Sequence, residues 1–195
     1  MRINEREDAA DTTVVRERVV HEISPVWNSE SRVLLLGTMP SPASRAAGFF
    51  YMHPQNRFWR VLPAVFGERC VYTNSGTCSS VDSLPDRAAA IAERRAFLIR
   101  RRIALWDVLS SCDICGAADA SIQNAVPNDF APLFAHSHIR RVFCTGKAAF
   151  ALWQRHCAAR YRVHGECLPS TSPANAAWSV ERLVQEYSRI MPWCT

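Results

Sequence analysis

Blocks of apolar and polar residues alternate along the chain in a pattern that predicts strands and helices in turn. Short apolar runs are typical of strands buried on both faces of a parallel sheet, and they cover 32–36, 103–106, 139–144 and 163–168. The predicted helices cover 57–66, 86–101, 147–159 and a C-terminal segment with an amphipathic stripe at Val180, Leu183, Val184 and Tyr187. The alternation predicts an α/β fold around a central, mostly parallel sheet.

Residues 1–24 are polar and charged without periodicity, which predicts a flexible or loosely docked arm before one globular domain over 25–195. The length of 195 residues and a hydrophobic content of 48% suit one domain with its own core. No apolar run has the roughly 18 to 20 residues of a membrane span, and the charged start is unlike a signal peptide. We therefore expect a soluble, cytoplasmic protein that contacts no membrane.

The net charge of +5 comes mostly from arginine, because Lys147 is the only lysine among 23 basic residues. Arginine makes bidentate contacts with phosphate that lysine cannot make. The basic excess is compatible with nucleic-acid binding, but many soluble enzymes share it.

The eight cysteines are too small a share of the chain for a disulfide scaffold, which favours reduced thiols. Cys112 and Cys115 are the only closely spaced pair, and no second pair or histidine motif stands at zinc-site spacing. We expect no metal and no cofactor.

Polar loops follow three of the predicted strands, at 37–41, 145–147 and 168–175. In a parallel sheet these loops meet at one edge, where ligands bind. The long segment from 37 to 55 carries prolines and aromatic residues, and long loops inside compact domains are usually functional.

Three other kinds of site are poorly supported. A phosphate-binding loop at 145–147 would need glycine at Arg141 and a hydroxyl residue at Ala148. A Ser-His-Asp site could use Ser41 or Ser170 with Asp107, but the chain has no G-x-S-x-G elbow. For a pair of catalytic carboxylates, only Asp107 and Asp129 are expected near the site.

Six segments occur in order along the chain: GTMPSPAS at 37–44, YMHPQNRFW at 51–59, ALWDVL at 104–109, VPNDF at 126–130, TGK at 145–147 and LPSTSPAN at 168–175. Together they resemble the hypoxanthine (deoxyinosine) DNA glycosylase branch of the uracil-DNA glycosylase superfamily. The resemblance implies a four-stranded parallel sheet flanked by helices. It also implies hydrolysis of the N-glycosidic bond of a deaminated base in DNA, as the first step of base excision repair.

By this resemblance GTMPS at 37–41 is the first active-site motif, which lines the water and base pocket. LPSTSPAN at 168–175 is the second motif, which pinches the DNA backbone. The chain departs from the uracil-specific branches, which carry Asp or Asn in the first motif and often a histidine at the start of the second. Here the first motif offers Thr38, Met39 and Ser41, and Leu168 replaces the histidine. The resemblance therefore points to Asn56 as the activating polar residue.

The predicted site has three groups of residues. The expected catalytic residues are Asn56, which could hold water or base, and His53, which could donate to a base carbonyl. The expected base pocket contains Gly37, Thr38, Met39, Pro40, Ser41, Phe50, Tyr51 and Phe58. The expected DNA-binding residues are Ser170, Thr171, Ser172, Asn175 and Lys147.

Each assignment has a structural alternative. Asn56 could cap the helix that follows it, His53 could fix its own loop, and Phe50 could belong to the core along with Phe58. The serines and threonine of the second motif could instead belong to an ordinary helix-capping segment.

The predicted enzyme is a monomeric, monofunctional glycosylase that acts on hypoxanthine, with uracil and xanthine as further candidate substrates. It should leave an abasic site without forming a Schiff base, which needs an amine in the pocket. The N-terminal amine is on the charged arm well before the first strand, and Lys147 opens a helix and is poorly placed to reach C1′. Two alternatives stay open: a nucleic-acid-binding module that has lost catalysis, and a nucleoside hydrolase.

Overall fold

The computed structural model describes residues 15–72 and 84–194. A four-stranded parallel sheet lies at its centre, in the order β3-β2-β6-β7. These strands are β2 (Val33–Gly37), β3 (Ile103–Asp107), β6 (Arg141–Thr145) and β7 (Gly165–Leu168). They are the four strands that the sequence predicts, and the α/β prediction is confirmed.

A second, antiparallel sheet was not predicted. Its order is β1-β4-β5, formed by β1 (Glu17–Val20), β4 (Leu109–Ile114) and β5 (Gln123–Pro127). Only Val19 of β1 is buried, and β5 is largely exposed, so neither strand has a strong apolar signal. Short edge strands such as these depend on their partner for stability.

The prediction of a flexible arm over 1–24 is wrong for its last part. Residues 1–14 lie outside the described residues, but β1 pairs with β4 from Glu17 opposite Ile114 to Val20 opposite Ser111. The backbone hydrogen bonds of β4 hold this segment, although its own sequence has little apolar content. The folded domain therefore begins before residue 25.

Seven α-helices occur among the described residues. They are α1 (Pro42–Ala47), α2 (Phe58–Val65), α3 (Leu84–Arg100), α4 (Ala131–Ala135), α5 (Lys147–Trp153), α6 (Ala159–Tyr161) and α7 (Val180–Tyr187). A π-helical stretch, Gln154–Ala158, joins α5 to α6. Helix α1 lies inside the predicted loop of 37–55, where the Ser41 side chain accepts the Ser44 N–H and caps it. None of the described helices is long and apolar enough to cross a bilayer.

Alternate side chains of β2 enter two different cores, as expected for a strand covered on both faces. Val33 and Leu35 pack in a cluster that includes residues of α2, α3 and α7. Leu34 and Leu36 pack in a second cluster with α5 and the antiparallel sheet. The central sheet is therefore a middle layer whose position is fixed from both sides.

The carboxyl ends of the central strands lie level at one edge of the sheet. Gly37 pairs with Asp107, and Thr145 pairs with Leu168. Because these residues are in register, the loops that follow them start side by side.

Candidate active site

A cavity of about 220 Å³ lies at this edge of the sheet. Its wall contains most of the predicted site residues: Gly37, Thr38, Met39, Pro40, Ser41, Phe50, Tyr51, His53, Asn56, Ser170, Thr171 and Ser172. The fold thus brings the first motif, the HPQN segment and the second motif around one space. Asp107, Ala117, Asp119 and Thr145 also line it.

Gly37 must be a glycine because two side chains approach its Cα closely. A Cβ at this position would lie 2.1 Å from Asp107 Oδ1 and 2.9 Å from the Tyr51 hydroxyl. Both distances are shorter than real Cβ contacts. The glycine therefore lets a carboxylate and a phenol reach the floor of the cavity.

Tyr51 is held rigidly in the cavity wall. Thr145 Oγ1 donates to the Leu36 carbonyl at 3.2 Å, so the Tyr51 hydroxyl donates to Thr145 Oγ1 at 2.7 Å. The φ angle of Tyr51 is 55°, a left-handed conformation that non-glycine residues seldom adopt. Burial, together with the negative charge of Asp107, raises the pKa of Tyr51 well above its ordinary value, so the phenol stays neutral.

Phe58 does not line the cavity, which corrects its predicted place in the base pocket. It is fully buried behind Tyr51, and the two rings stack with centroids 3.9 Å apart at an interplanar angle of 10°. Phe58 lies on the first turn of α2, whose apolar face points into the core. It therefore supports the ring of Tyr51 and is not part of the cavity surface.

Asn56 joins two parts of the site through its side-chain oxygen. Asn56 Oδ1 accepts the Phe58 N–H at 3.0 Å and the Thr171 hydroxyl at 2.9 Å. A backbone N–H can only donate, so this contact fixes the orientation of the amide. Both lone pairs of the oxygen are used, and no hydrogen bond among the described residues uses the NH₂ group. The expected capping role is corrected, because Arg57 and not Asn56 is the N-cap of α2. Asn56 nevertheless bonds to the N–H of the first helical residue, Phe58, and it lines the cavity.

His53 also lines the cavity, on the loop before Asn56. Its Nδ1 accepts the Gln55 N–H at 3.2 Å. Neutral His53 therefore carries its proton on Nε2, which is the donor form. The hydrogen bond that fixes the loop thus exists together with a position on the cavity wall.

Arg57 was missed by the sequence reasoning, and it holds the second motif in place. Its guanidinium donates to the carbonyls of Thr171 (3.2 Å), Ser172 (2.7 Å), Asn175 (3.0 Å) and Trp178. Its backbone N–H also donates to the Thr171 carbonyl at 3.1 Å. One arginine next to Asn56 therefore fixes the loop that closes the other side of the cavity.

The predicted DNA-binding residues divide into two sets. Ser170, Thr171 and Ser172 lie on the cavity wall, and Thr171 is nearly fully buried there and donates its hydroxyl to Asn56. Asn175 does not line the cavity. Its Nδ2 donates to the Ser170 carbonyl at 2.8 Å, and this bond shapes the loop. Lys147 is exposed on the first turn of α5, also outside the cavity wall.

Asp107 and His21 form a buried pair that the sequence reasoning did not anticipate. His21 Nε2 lies 2.9 Å from Asp107 Oδ2, the His21 side chain is fully buried, and Asp107 is 4% exposed. His21 Nδ1 accepts the Ile23 N–H at 3.2 Å, so the Nε2 proton points to the carboxylate. His21 lies just after β1, in the segment expected to be flexible.

Asp119 is the second carboxylate of the cavity, in place of the expected Asp129. Thr38 Oγ1 donates to Asp119 Oδ2 at 2.9 Å. Burial raises the pKa of Asp119; the nearby Asp107 charge adds to that rise, and the Thr38 hydrogen bond opposes it. Asp129 is exposed, where it pairs with Arg160 and accepts the Tyr161 hydroxyl.

Among the described residues, no group of three or more His, Cys, Asp or Glu side chains is placed to hold a metal ion. Cys112 is fully buried in the core next to the antiparallel sheet. Burial also raises the pKa of its thiol. The Cys112/Cys115 spacing thus reflects strand β4 and the turn after it.

Comparison with known proteins identifies relatives in Methanosarcina. Two of them are named hypoxanthine DNA glycosylase. The Methanosarcina acetivorans protein is 28% identical over 158 residues, covering 80% of this chain and 89% of that protein. The Methanosarcina barkeri protein is 29% identical over 109 residues; the match covers 56% of this chain and only 59% of that relative.

The fold is also shared with a solved structure. A solution NMR structure of a Methanosarcina acetivorans protein, provisionally named a uracil DNA glycosylase, superposes with a TM-score of 0.68 at 24% identity. The superposition covers 88% of this chain and 96% of the other. A family model described as the uracil DNA glycosylase superfamily matches residues 25–190. This chain belongs to the uracil DNA glycosylase superfamily.

Proposed function

We propose that the protein is a monofunctional DNA glycosylase that releases hypoxanthine from DNA by hydrolysis of the N-glycosidic bond. The observation that carries this proposal is the cavity itself, which is lined by the Asn56 amide, on the segment between β2 and α2, and by the buried Asp107 carboxylate, at the end of the neighbouring strand β3. Family membership and the names of the two relatives support the same chemistry.

Cleavage of the bond between C1′ and N9 leaves positive charge on the sugar and electron density on the base. Asp107 supplies a carboxylate that can stabilise the cationic sugar and take a proton from the attacking water. His21 holds that carboxylate in place from behind. The pair thus gives the cavity a fixed negative group where the cation forms.

Asn56 and His53 serve the leaving base. The oxygen of Asn56 is already bonded to Phe58 and Thr171, so its NH₂ group is the part that contacts the substrate. An amide donor stabilises the electron density that builds up on a base carbonyl or ring nitrogen during cleavage. The Nε2–H of neutral His53 is a second donor of this kind.

Tyr51 offers aromatic surface to a base that has been rotated out of the duplex. Phe50 also lines the cavity, but it is 1% exposed and belongs to the core. Stacking on such a ring is insensitive to the identity of the base, so selection depends on the polar groups. Ser170 and Ser172 lie at the rim where the DNA backbone would approach, and exposed Lys147 is available for a phosphate contact.

A duplex oligonucleotide that contains one deoxyinosine provides the test. After incubation with the protein and treatment with alkali, the strand should break at the deoxyinosine and stay intact in a duplex with deoxyadenosine there. Uracil and xanthine duplexes in parallel rank the other deaminated bases. Binding without cleavage would favour a catalytically silent module, and activity on free deoxyinosine alone would favour a nucleoside hydrolase.

A further inference from the structure

Asp119 lines the cavity from the segment between β4 and β5, outside every predicted motif. The Thr38 hydroxyl donates a hydrogen bond to Asp119 Oδ2 at 2.9 Å. No Lys, Arg or His of the described residues pairs with this carboxyl group. The arginines on neighbouring elements, Arg18 and Arg45, pair with Asp113 and Glu17 instead.

The groups around Asp119 disfavour a second negative charge in the cavity. The titratable groups that share its surroundings are Asp107 at the end of β3, Cys112 in β4, Tyr51 and His53 in the loop before α2, and His21 behind Asp107. The pKa of Asp119 is raised by burial and by the charge of Asp107. Asp119 therefore keeps its proton to a higher pH than an exposed aspartic acid does.

The two carboxyl groups accept hydrogen bonds from different kinds of donor. Asp107 receives an N–H from His21, which stabilises a carboxylate. Within the described part of the chain, Asp119 accepts one hydrogen bond, from the Thr38 hydroxyl to Oδ2, so Oδ1 is the oxygen that can carry a proton. Such a difference between neighbouring carboxyl groups is the arrangement that separates an acid from a base in one site.

We propose that Asp119 is the general acid that protonates the leaving purine. This inference rests on the proposed function. The bond between C1′ and N9 breaks, its electron pair moves into the purine ring, and the Asp119 proton is transferred to N7, the most basic ring nitrogen. Hypoxanthine leaves as a neutral molecule and Asp119 becomes a carboxylate. Water adds to C1′, its proton passes to Asp107, and exchange with solvent restores both carboxyl groups.

The first test is the pH dependence of single-turnover base release from a deoxyinosine duplex. A general acid works only when protonated, so the rate should fall as pH rises through the pKa of Asp119. Asp119→Asn keeps an oxygen for the Thr38 hydroxyl but has no proton to transfer. We expect it to lose about 100-fold or more in rate, with DNA affinity unchanged and the alkaline fall abolished.

Thr38→Val provides a second variant with a different signature. It removes the hydrogen bond that lowers the pKa of Asp119, so the alkaline fall should move to higher pH. A purely structural role for Asp119 would leave the position of this fall unchanged. Circular dichroism and thermal unfolding check that both variants are folded.

The second test uses a duplex with 7-deaza-2′-deoxyinosine, in which a C–H replaces N7. The wild-type protein should release this base about 100-fold more slowly or worse, and Asp119→Asn should add little further loss. Equal rates for wild type and Asp119→Asn on deoxyinosine at every pH would overturn the proposal. It would also be overturned if Asp119→Asn lost the same factor in rate on the 7-deaza duplex as on deoxyinosine. If the wild type releases no hypoxanthine from ordinary deoxyinosine, the proposed function fails instead.

Discussion

His21 Nε2 donates to Asp107 Oδ2 across 2.9 Å, and this contact ties the first strand of the antiparallel sheet to the floor of the cavity. Both side chains are almost completely withdrawn from solvent. Asp107 reaches the cavity only because Gly37 has no side chain. The segment around β1 is therefore part of the candidate active site.

Removal of the histidine should weaken both the fold and the activity. In His21→Ala the buried Asp107 carboxylate loses its donor, and we expect a loss of about 1 to 3 kcal/mol in the free energy of unfolding. Base release should fall as well, because the carboxylate is no longer held. Urea denaturation and single-turnover assays measure the two effects. The control is Glu22→Ala, next to His21 and exposed, which should change neither.

Arg57 should be needed for the shape of the second motif. Arg57→Lys keeps the charge but cannot reach several carbonyls at once. A shift of about 1 Å in a positioning loop can cost on the order of 100-fold in rate, and we expect a loss of that size. Arg60→Lys, on the exposed side of α2, is the matched control. Full activity of Arg57→Lys would mean that the loop is fixed by other contacts.

The variant Asn56→Asp separates the two halves of the amide. Its carboxylate can still accept the Phe58 N–H and the Thr171 hydroxyl, but it has no NH₂ donor. We expect base release to fall about 100- to 1,000-fold, with little change in the Kd for DNA, because the lost contact stabilises the transition state. Asn56→Ala should lose similar activity and also some stability. Near-full turnover by either folded variant would remove Asn56 from the mechanism.

Parts of this arrangement could be predicted from the sequence because their signals are local. Strand β2 is apolar at almost every position, and the loops at its end and at the ends of its neighbours had to meet at one edge. His21, Arg57 and Asp119 were missed for a different reason. Each acts through a partner far away in the chain: His21 with Asp107, Arg57 with the carbonyls of the second motif, and Asp119 with Thr38.

The antiparallel sheet illustrates the same limit. Strand β4 starts two residues after β3 ends, and its sequence, LSSCDI, includes four residues that are not hydrophobic aliphatic. It is a strand because β1 and β5 pair with it on both sides. Only the tertiary arrangement supplies those hydrogen bonds, so residues 17–20 were expected to be flexible.

The mechanism should involve no covalent enzyme–DNA intermediate. Lys147, the only lysine, is exposed on α5 outside the cavity wall, so no lysine amine is placed to attack C1′. Borohydride added during turnover should trap no adduct, and Lys147→Ala should retain base release with at most weaker DNA binding. A trapped adduct that disappears in Lys147→Ala would make this lysine the nucleophile.

The most direct measurement is the amount of free hypoxanthine released from a deoxyinosine duplex, determined by mass spectrometry together with the number of abasic sites in the same sample. We predict one hypoxanthine for each abasic site, with the strand uncut before alkali and with far less of both products for Asn56→Asp. A duplex that is bound but yields neither free hypoxanthine nor abasic sites would contradict the assignment as a hypoxanthine-releasing DNA glycosylase.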